Sequence, residues 1–184
     1  MENESQITMA RILPLRAWRF NNNLAADIEE LTSPLFDVVS DKQRANLYDR
    51  EYNSIHLSVP TGPNPAQHAR ETLSKWKAHD IILQDRLPGI YVYYQYFSLP
   101  GSHKEYCRKG FICNIEAYDW GEKILLRHEN TMPHSVNDRV EILKETQLCV
   151  SPTHGLYTDP DFELEQYMDE SPAKKIDLLM LLRP

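Results

Sequence analysis

The sequence predicts an α+β fold, with a mainly antiparallel or mixed sheet and helices packed on it. Residues 90–99 are rich in aromatic and β-branched residues, which favour strands. Residues 111–118 alternate apolar and polar side chains, as a half-buried antiparallel strand does. Residues 65–79 instead place their apolar side chains at the spacing of one buried helix face: Ala66, Ala69, Leu73 and Trp76.

The first half of the chain alternates short strands and helices. Ser40 can cap a helix, with Asp41 in its favourable first turn. Ile55, Leu57 and Val59 alternate with polar residues, and this period of two indicates a strand. The predicted elements are a strand at 11–20, a helix at 24–31, an extended loop at 33–39, a helix at 41–50, a strand at 53–59 and a helix at 65–79.

The second half is predicted to contain an aromatic-rich antiparallel meander at about 90–128. Its three strands lie at 90–99, 105–118 and 122–127, after a short strand at 81–84. A helix at 133–147 should bury Val136, Val140 and Leu143, which follow helical spacing. A short strand at 155–157 and an acidic helix at 160–169 complete the prediction.

Length and composition are those of a folded globular protein. The 184 residues are 41% hydrophobic and 26% charged, which disfavours disorder. We expect residues 1–159 to form a single α+β domain and residues 160–184 an extension. The tail ends in apolar residues, as if a second half were missing.

Charge and the terminal segments bear on partners and location. The net charge of −7 disfavours nucleic-acid binding, which needs a basic face. Arg11, Arg16 and Arg19 could still contact phosphate, or could be solvated strand-edge charges. The N-terminus resembles no signal peptide and Ile176–Leu182 is too short to span a bilayer, so we expect a cytoplasmic protein without membrane contact. Three cysteines without a CxxC pair suit a reducing compartment.

The densest group of titratable residues follows the predicted meander. In an extended segment Arg127 and Glu129 point to one side and His128 to the other. Arg can hold phosphate oxygens in a bidentate fork, and Glu can bind magnesium or accept a hydroxyl proton. The alternative is a structural ion pair of Glu129 with Arg127 or Arg139. No metal site is expected, because Pro133 prevents a regular helix from aligning His128 with His134.

An ordered set of short motifs resembles the prokaryotic domain-of-unknown-function family 1015. The motifs extend over roughly residues 12–159. They are LPLRA at 13–17, SPLFDV at 33–38, NSIHL at 53–57, the aromatic strand at 91–96, Gly110-Phe111, RHENT at 127–131 and Asp138-Arg139.

The resemblance implies a nucleotide- or phosphate-binding domain of a kinase-like phosphotransferase. Longer members of the family carry a DGHHR motif similar to one in the ParB and free-serine-kinase superfamily, and this chain has none. The implied ligand is a nucleotide, with magnesium, or a phosphorylated small molecule. The implied catalytic residues are Glu129 and His128, and the implied ligand-binding residues are Arg127, Arg139, Thr131, Asp37 and His56.

A second hypothesis comes from another class of protein. The chain could be a non-catalytic binding or assembly module, including a homo-oligomer, whose apolar end pairs with another copy or with an absent domain. DNA binding is disfavoured by the acidic balance and by the lack of a helix-turn-helix. The sequence does not decide whether the protein is an enzyme.

Overall fold

The computed structural model describes residues 9–24 and 26–170 and confirms the α+β class. The strands are β1 (Ile12–Leu13), β2 (Trp18–Phe20), β3 (Ile82–Gln84), β4 (Tyr91–Ser98), β5 (Glu105–Ile112) and β6 (Asn114–Ile115). The α-helices are α1 (Ile28–Leu31), α2 (Asp41–Tyr48), α3 (Ile55–Ser58), α4 (Pro65–Ala78), α5 (Pro133–Thr146) and α6 (Glu163–Glu170), and a 3₁₀ turn spans Trp120–Glu122.

Contacts divide the described chain into two units. The hairpin unit contains residues 9–17, 86–130 and 158–170, and the core unit contains residues 18–24, 26–85 and 131–157. The single domain at 1–159 and the extension at 160–184 stay a prediction. The part of that extension beyond Glu170 lies outside the described residues.

The core unit is organised around α4. Pro65 begins the helix, where its missing N–H costs nothing, and Lys75 and Lys77 suit its last turn. Ala69, Leu73 and Trp76 are buried, which confirms the predicted stripe. They join one apolar cluster with Phe20, Leu31, Leu57, Ile82, Ile142 and Val150.

Local chemistry fixes the elements around this core. Ser40 accepts a hydrogen bond from the backbone of Gln43, whose side chain bonds back to Ser40, so a capping box starts α2 as predicted. β2 pairs antiparallel with β3. Next to this pair, Arg19 binds Asp85 at 2.5 Å, so its charge is paired within the protein.

The hairpin unit is built on β4 and β5. The two strands pair antiparallel over eight residues each, from Tyr91 opposite Ile112 to Ser98 opposite Glu105. β6 pairs with β1, and Leu15 bridges to Gly89 just before β4 begins. In the described part of this unit Met168 is the only buried residue.

α6 is attached to the hairpin by a charged network. Lys109 Nζ lies 2.5 Å from Glu165 Oε1 and 2.8 Å from Asp169 Oδ2. Tyr94 faces Lys109 across the hairpin and donates a 2.9 Å hydrogen bond to Asp169. Both strands therefore hold the same helix.

The predicted strand at 53–59 is wrong, because the segment forms the one-turn helix α3. Asn53 Oδ1 accepts the Ile55 N–H at 2.9 Å, which turns the backbone at the start of the segment. Ile55 and Leu57 are both buried. A period of two over so few residues is equally compatible with a single helical turn.

The third strand predicted at 122–127 is also wrong. Asp119 and Glu122 form a capping box around the 3₁₀ turn, and Lys123 follows in the left-handed conformation with φ of 57°. This geometry ends the extended run before it can pair with β5. The described residues 155–157, predicted as a strand, have no regular structure.

The predicted buried side of α5 is wrong, although the helix bounds are close to those observed. Val136, Val140 and Leu143 are exposed, and Ile142 and Thr146 are buried instead. Thr146 can be buried because its hydroxyl donates a 2.7 Å hydrogen bond to the Ile142 carbonyl.

Candidate functional site

Arg127, His128 and Glu129 lie together in the hairpin unit, on exposed irregular backbone. Arg127 Nε donates a 2.8 Å hydrogen bond to the backbone carbonyl of Glu129 and not to its carboxylate. Its guanidinium lies 5.6 Å from the centre of the Trp120 ring. His128 Nε2 is 3.7 Å from Glu129 Oε2, a pair that is ionic only when the imidazole is protonated. The Glu129 carboxylate therefore lies near the imidazole of His128, beyond hydrogen-bond distance.

Thr131, Asp37, His56 and Arg139 belong to the core unit. Thr131 and Asp37 are exposed, and His56 is half-buried. The ring nitrogen Nε2 of His56 is 3.0 Å from the Arg50 carbonyl, and the ring meets Tyr48 edge-on at 4.6 Å. Among the described residues, no hydrogen bond or ion pair joins Asp37 or His56 to Arg139.

Arg139, in the core unit, is held by several contacts. Its Nη1 donates a 2.6 Å hydrogen bond to the Ser58 carbonyl and a 3.4 Å bond to the Ser151 hydroxyl. Its guanidinium lies 4.2 Å from the centre of the Phe36 ring. Such a stack fixes the plane of the guanidinium, and with it the direction of its N–H groups.

Asp138 supplies the counter-charge of Arg139. The Nε of Arg139 donates to Asp138 Oδ2 at 3.0 Å, and Nη2 forms an ion pair with the same oxygen. The side chain of Arg139 is 20% exposed and that of Asp138 is 51% exposed, so solvent reaches the pair. Since a guanidinium carries five N–H donors, Arg139 keeps one donor beyond these contacts.

Serine hydroxyls surround the backbone that Arg139 contacts. Ser33 Oγ lies 3.0 Å from Ser54 Oγ and 3.2 Å from Ser58 Oγ. Ser54 and Ser58 are buried. The hydrogen bond between Ser33 and Ser54 joins the SPLFDV motif to the NSIHL motif. Arg139 contacts Phe36 of the first motif and Ser58, the residue that follows the second. Three motifs that are distant in sequence therefore form one cluster.

A buried amide holds this cluster rigid. Asn53 is fully buried, and its Nδ2 donates to the carbonyls of Glu30 at 2.7 Å and Thr32 at 2.8 Å. Its Oδ1 accepts the N–H of Ile55 at 2.9 Å. Asn53 therefore fixes the end of α1 against the start of α3, and Ser33 against Ser54.

Sequence reasoning identified Arg139 and missed the residues that position it. Phe36 lies inside a motif that the sequence singled out, but nothing in the sequence links its ring to Arg139. Ser58 contributes a backbone carbonyl and Ser151 a long hydrogen bond, and neither has a sequence signature. In the described part of the chain, no three His, Cys, Asp or Glu side chains are grouped to hold a metal ion.

Comparison with known proteins identifies a family. The family model described as "Protein of unknown function (DUF1015)" matches residues 12–180. No curated protein and no solved structure gives a significant match. Among residues 9–24 and 26–170, no helix has the length and apolar content needed to cross a membrane.

Proposed function

Because this chain belongs to the DUF1015 family, whose description assigns no activity, we propose its function from the cluster around Arg139: the core unit binds a phosphate group, as part of a kinase-like phosphotransferase. The observation that carries the proposal is the geometry of Arg139, whose guanidinium is stacked on Phe36 and aligned by Ser58. A planar, oriented guanidinium at the surface is the side chain best suited to phosphate oxygens.

Asp138 compensates the charge of Arg139 when no phosphate is bound. An isolated cation beside an aromatic ring and buried serines would lose hydration without compensation. Asp138 offsets this cost, and its exposed carboxylate can turn towards water when a phosphate replaces it. A phosphate dianion brings more charge than the carboxylate it displaces.

The ligand we propose is a nucleotide or a phosphorylated small molecule. Within the hairpin unit, Glu129 is the proposed magnesium ligand or general base, with His128 beside it, and Arg127 is a proposed phosphate contact of that unit. These roles rest on the motif resemblance and on the 3.7 Å approach of His128 to Glu129. Thr131, Asp37 and His56 remain predicted ligand-binding residues.

A thermal-shift panel tests the phosphate site. ATP, ADP, CTP, GTP and tripolyphosphate are added with and without magnesium. A ligand at about a hundred times its dissociation constant stabilises the folded chain by about 2.7 kcal/mol. Arg139→Lys keeps the positive charge but loses the bidentate guanidinium, so it should abolish the thermal shift that the ligand causes. Asp138→Asn removes the competing carboxylate and should increase it.

Matched controls come from the neighbouring ion pair of Arg70 and Glu145, 2.7 Å apart in the same unit. Arg70→Lys and Glu145→Gln change the same chemical groups and should leave the ligand shift unchanged. If the shift survives Arg139→Lys, or if no ligand stabilises the wild-type chain, the phosphate proposal is wrong. Glu129→Gln separately tests the magnesium role in the hairpin unit, since it should reduce the stabilisation that magnesium alone gives.

The second candidate function is an assembly module. It is favoured by the hairpin unit, whose described residues include only one buried residue, Met168, and several exposed large apolar side chains: Tyr96, Trp120, Leu126, Phe162 and Tyr167. A unit with so little buried apolar surface gains stability by covering some of it.

A further inference from the structure

The loop that carries Phe36 also presents two apolar side chains to solvent. It turns at residues 36–38, where the Val38 N–H donates a 3.2 Å hydrogen bond to the Leu35 carbonyl. A turn of this kind keeps its first and last Cα atoms within about 7 Å of each other, so Leu35 and Val38 both lie next to Phe36. Leu35 is 44% exposed and Val38 is 59% exposed. An apolar surface therefore adjoins the Phe36 ring on which the Arg139 guanidinium is stacked.

The same turn carries an unpaired carboxylate. Asp37 follows Phe36 directly and is exposed. In the described part of the chain, its carboxylate has no hydrogen bond and no ion pair. A free carboxylate at this position repels a second anionic group and favours a neutral group that donates hydrogen bonds. Sugar hydroxyls are such groups, and acidic side chains accept hydrogen bonds from ribose hydroxyls in dinucleotide-binding folds.

The contacts of Arg139 determine which edge of its guanidinium a ligand can reach. Both hydrogens of Nη1 are donated to protein oxygens, the Ser58 carbonyl at 2.6 Å and the Ser151 hydroxyl at 3.4 Å. The other edge, formed by Nε and Nη2, has Asp138 as its hydrogen-bond partner, and that carboxylate is 51% exposed. A phosphate that displaces Asp138 therefore binds this one edge with two oxygens, and the rest of the ligand stays free to contact the neighbouring turn.

We propose that the phosphate ligand is a nucleoside phosphate, whose base packs on Leu35 and Val38 and whose ribose hydroxyls bind Asp37. This inference rests on the proposed phosphate site and names the class of its ligand. Three adjacent features select that class: the guanidinium binds a phosphate, the free carboxylate binds hydroxyl donors, and the exposed aliphatic side chains bind a flat apolar group. Tripolyphosphate lacks the hydroxyls and the base, and a sugar phosphate lacks the base.

Isothermal titration calorimetry of the full chain tests the assignment with three magnesium-free probes: tripolyphosphate, ribose 5-phosphate and AMP. We expect AMP to bind about tenfold more tightly than ribose 5-phosphate, because its base buries apolar surface of the turn. Leu35→Asn should remove this advantage of AMP. Leu83→Asn is the matched control and should preserve the advantage, because Leu83 is 43% exposed and belongs to the same unit.

The ribose contact is tested separately by Asp37→Ala. This variant should weaken the binding of AMP and of ribose 5-phosphate about tenfold, because both lose the acceptor of their hydroxyls. Tripolyphosphate should bind at least as tightly as before, because one repelling carboxylate is gone. Asp49→Ala removes the same charge from another exposed site of the core unit and should leave the binding of all three probes unchanged.

Arg139→Lys distinguishes a failure of this inference from a failure of the phosphate site. If Arg139→Lys weakens tripolyphosphate binding, but wild type binds AMP no more tightly than ribose 5-phosphate, the nucleoside assignment is overturned and the phosphate site stands. Equal effects of Leu35→Asn and Leu83→Asn on AMP binding also overturn the assignment. If none of the three probes binds wild type, the phosphate site is wrong and the assignment fails with it.

Discussion

Lys109 and Asp169 form a 2.8 Å ion pair that ties β5 to α6. Hydrogen bonds from Lys109 and then from Tyr94 lower the pKa of Asp169. Hydrogen bonds to Asp169 and then to Glu165 raise the pKa of Lys109. The pair therefore favours the charged form of both groups.

The attachment of α6 should weaken at both ends of the pH range. A carboxylate with a lowered pKa gives stability that is present above its unfolded pKa, about 4, and is lost as the pH falls through the folded value. A lysine with a raised pKa gives stability that is present below about pH 10 and is lost as the pH rises through the folded value. Amide exchange in α6, corrected for its intrinsic pH dependence, measures the acid limb. Asp169→Asn should remove the acid limb, and Asp161→Asn, at an exposed site, should not. Equal pH profiles for wild type and Asp169→Asn would contradict the prediction.

Replacing Asn53 should destabilise the core unit strongly. Asn53→Ala leaves the carbonyls of Glu30 and Thr32 and the N–H of Ile55 without their partner. Unsatisfied buried groups of this kind should lower the free energy of unfolding by about 3 kcal/mol. Urea denaturation measures the loss. Asn22→Ala, at an exposed position, is the control and should cost little. A small loss at Asn53 would mean that water replaces the amide.

The contact face of α5 can be tested by two truncations on the same helix. Ile142 is 1% exposed, so Ile142→Ala should lower the free energy of unfolding by about 3 kcal/mol. Val140 is 38% exposed, and Val140→Ala should cost less than about 1 kcal/mol. Thermal or chemical denaturation distinguishes the two. If Val140→Ala were the more damaging, the face predicted from helical spacing would have been the buried one.

The capping box of α2 should contribute a measurable share of stability. Ser40→Ala removes the acceptor of the Gln43 N–H and should cost about 1 kcal/mol. Lys42→Ala is a control in the same turn, because Lys42 is exposed. Denaturation midpoints of the two variants should therefore differ. Equal midpoints would show that solvent replaces the cap.

The buried face of a helix could be predicted from the sequence only where the buried residues are also the apolar ones. α4 was predictable because its apolar stripe is also its buried face. The face of α5 was not, because Arg139 and Thr146 occupy inward positions and satisfy their polar groups by hydrogen bonds. α3 was missed because its four residues are too few for the spacing of apolar residues to distinguish a helix from a strand.

The family and some residues of the candidate site could be predicted from the sequence for a different reason. Ordered motifs identified the family, and its model extends to residue 180, beyond the 159 that the motifs suggested. Titratable residues drew attention to Arg127, His128, Glu129 and Arg139. The stacking partner Phe36 and the serine hydroxyls carry no charge, so only tertiary structure associates them with Arg139.

The core unit is interrupted in sequence, and this bears on the order of events during synthesis. Leu73 and Trp76 pack in one cluster with Ile142 and Val150, yet residues 86–130 belong to the hairpin unit. On the ribosome the part of α4 that packs with Ile142 and Val150 stays uncovered while the hairpin is translated. A nascent chain arrested before Ile142 would thus expose that part of α4 to chaperones and proteases, and elongation beyond α5 would let the cluster close.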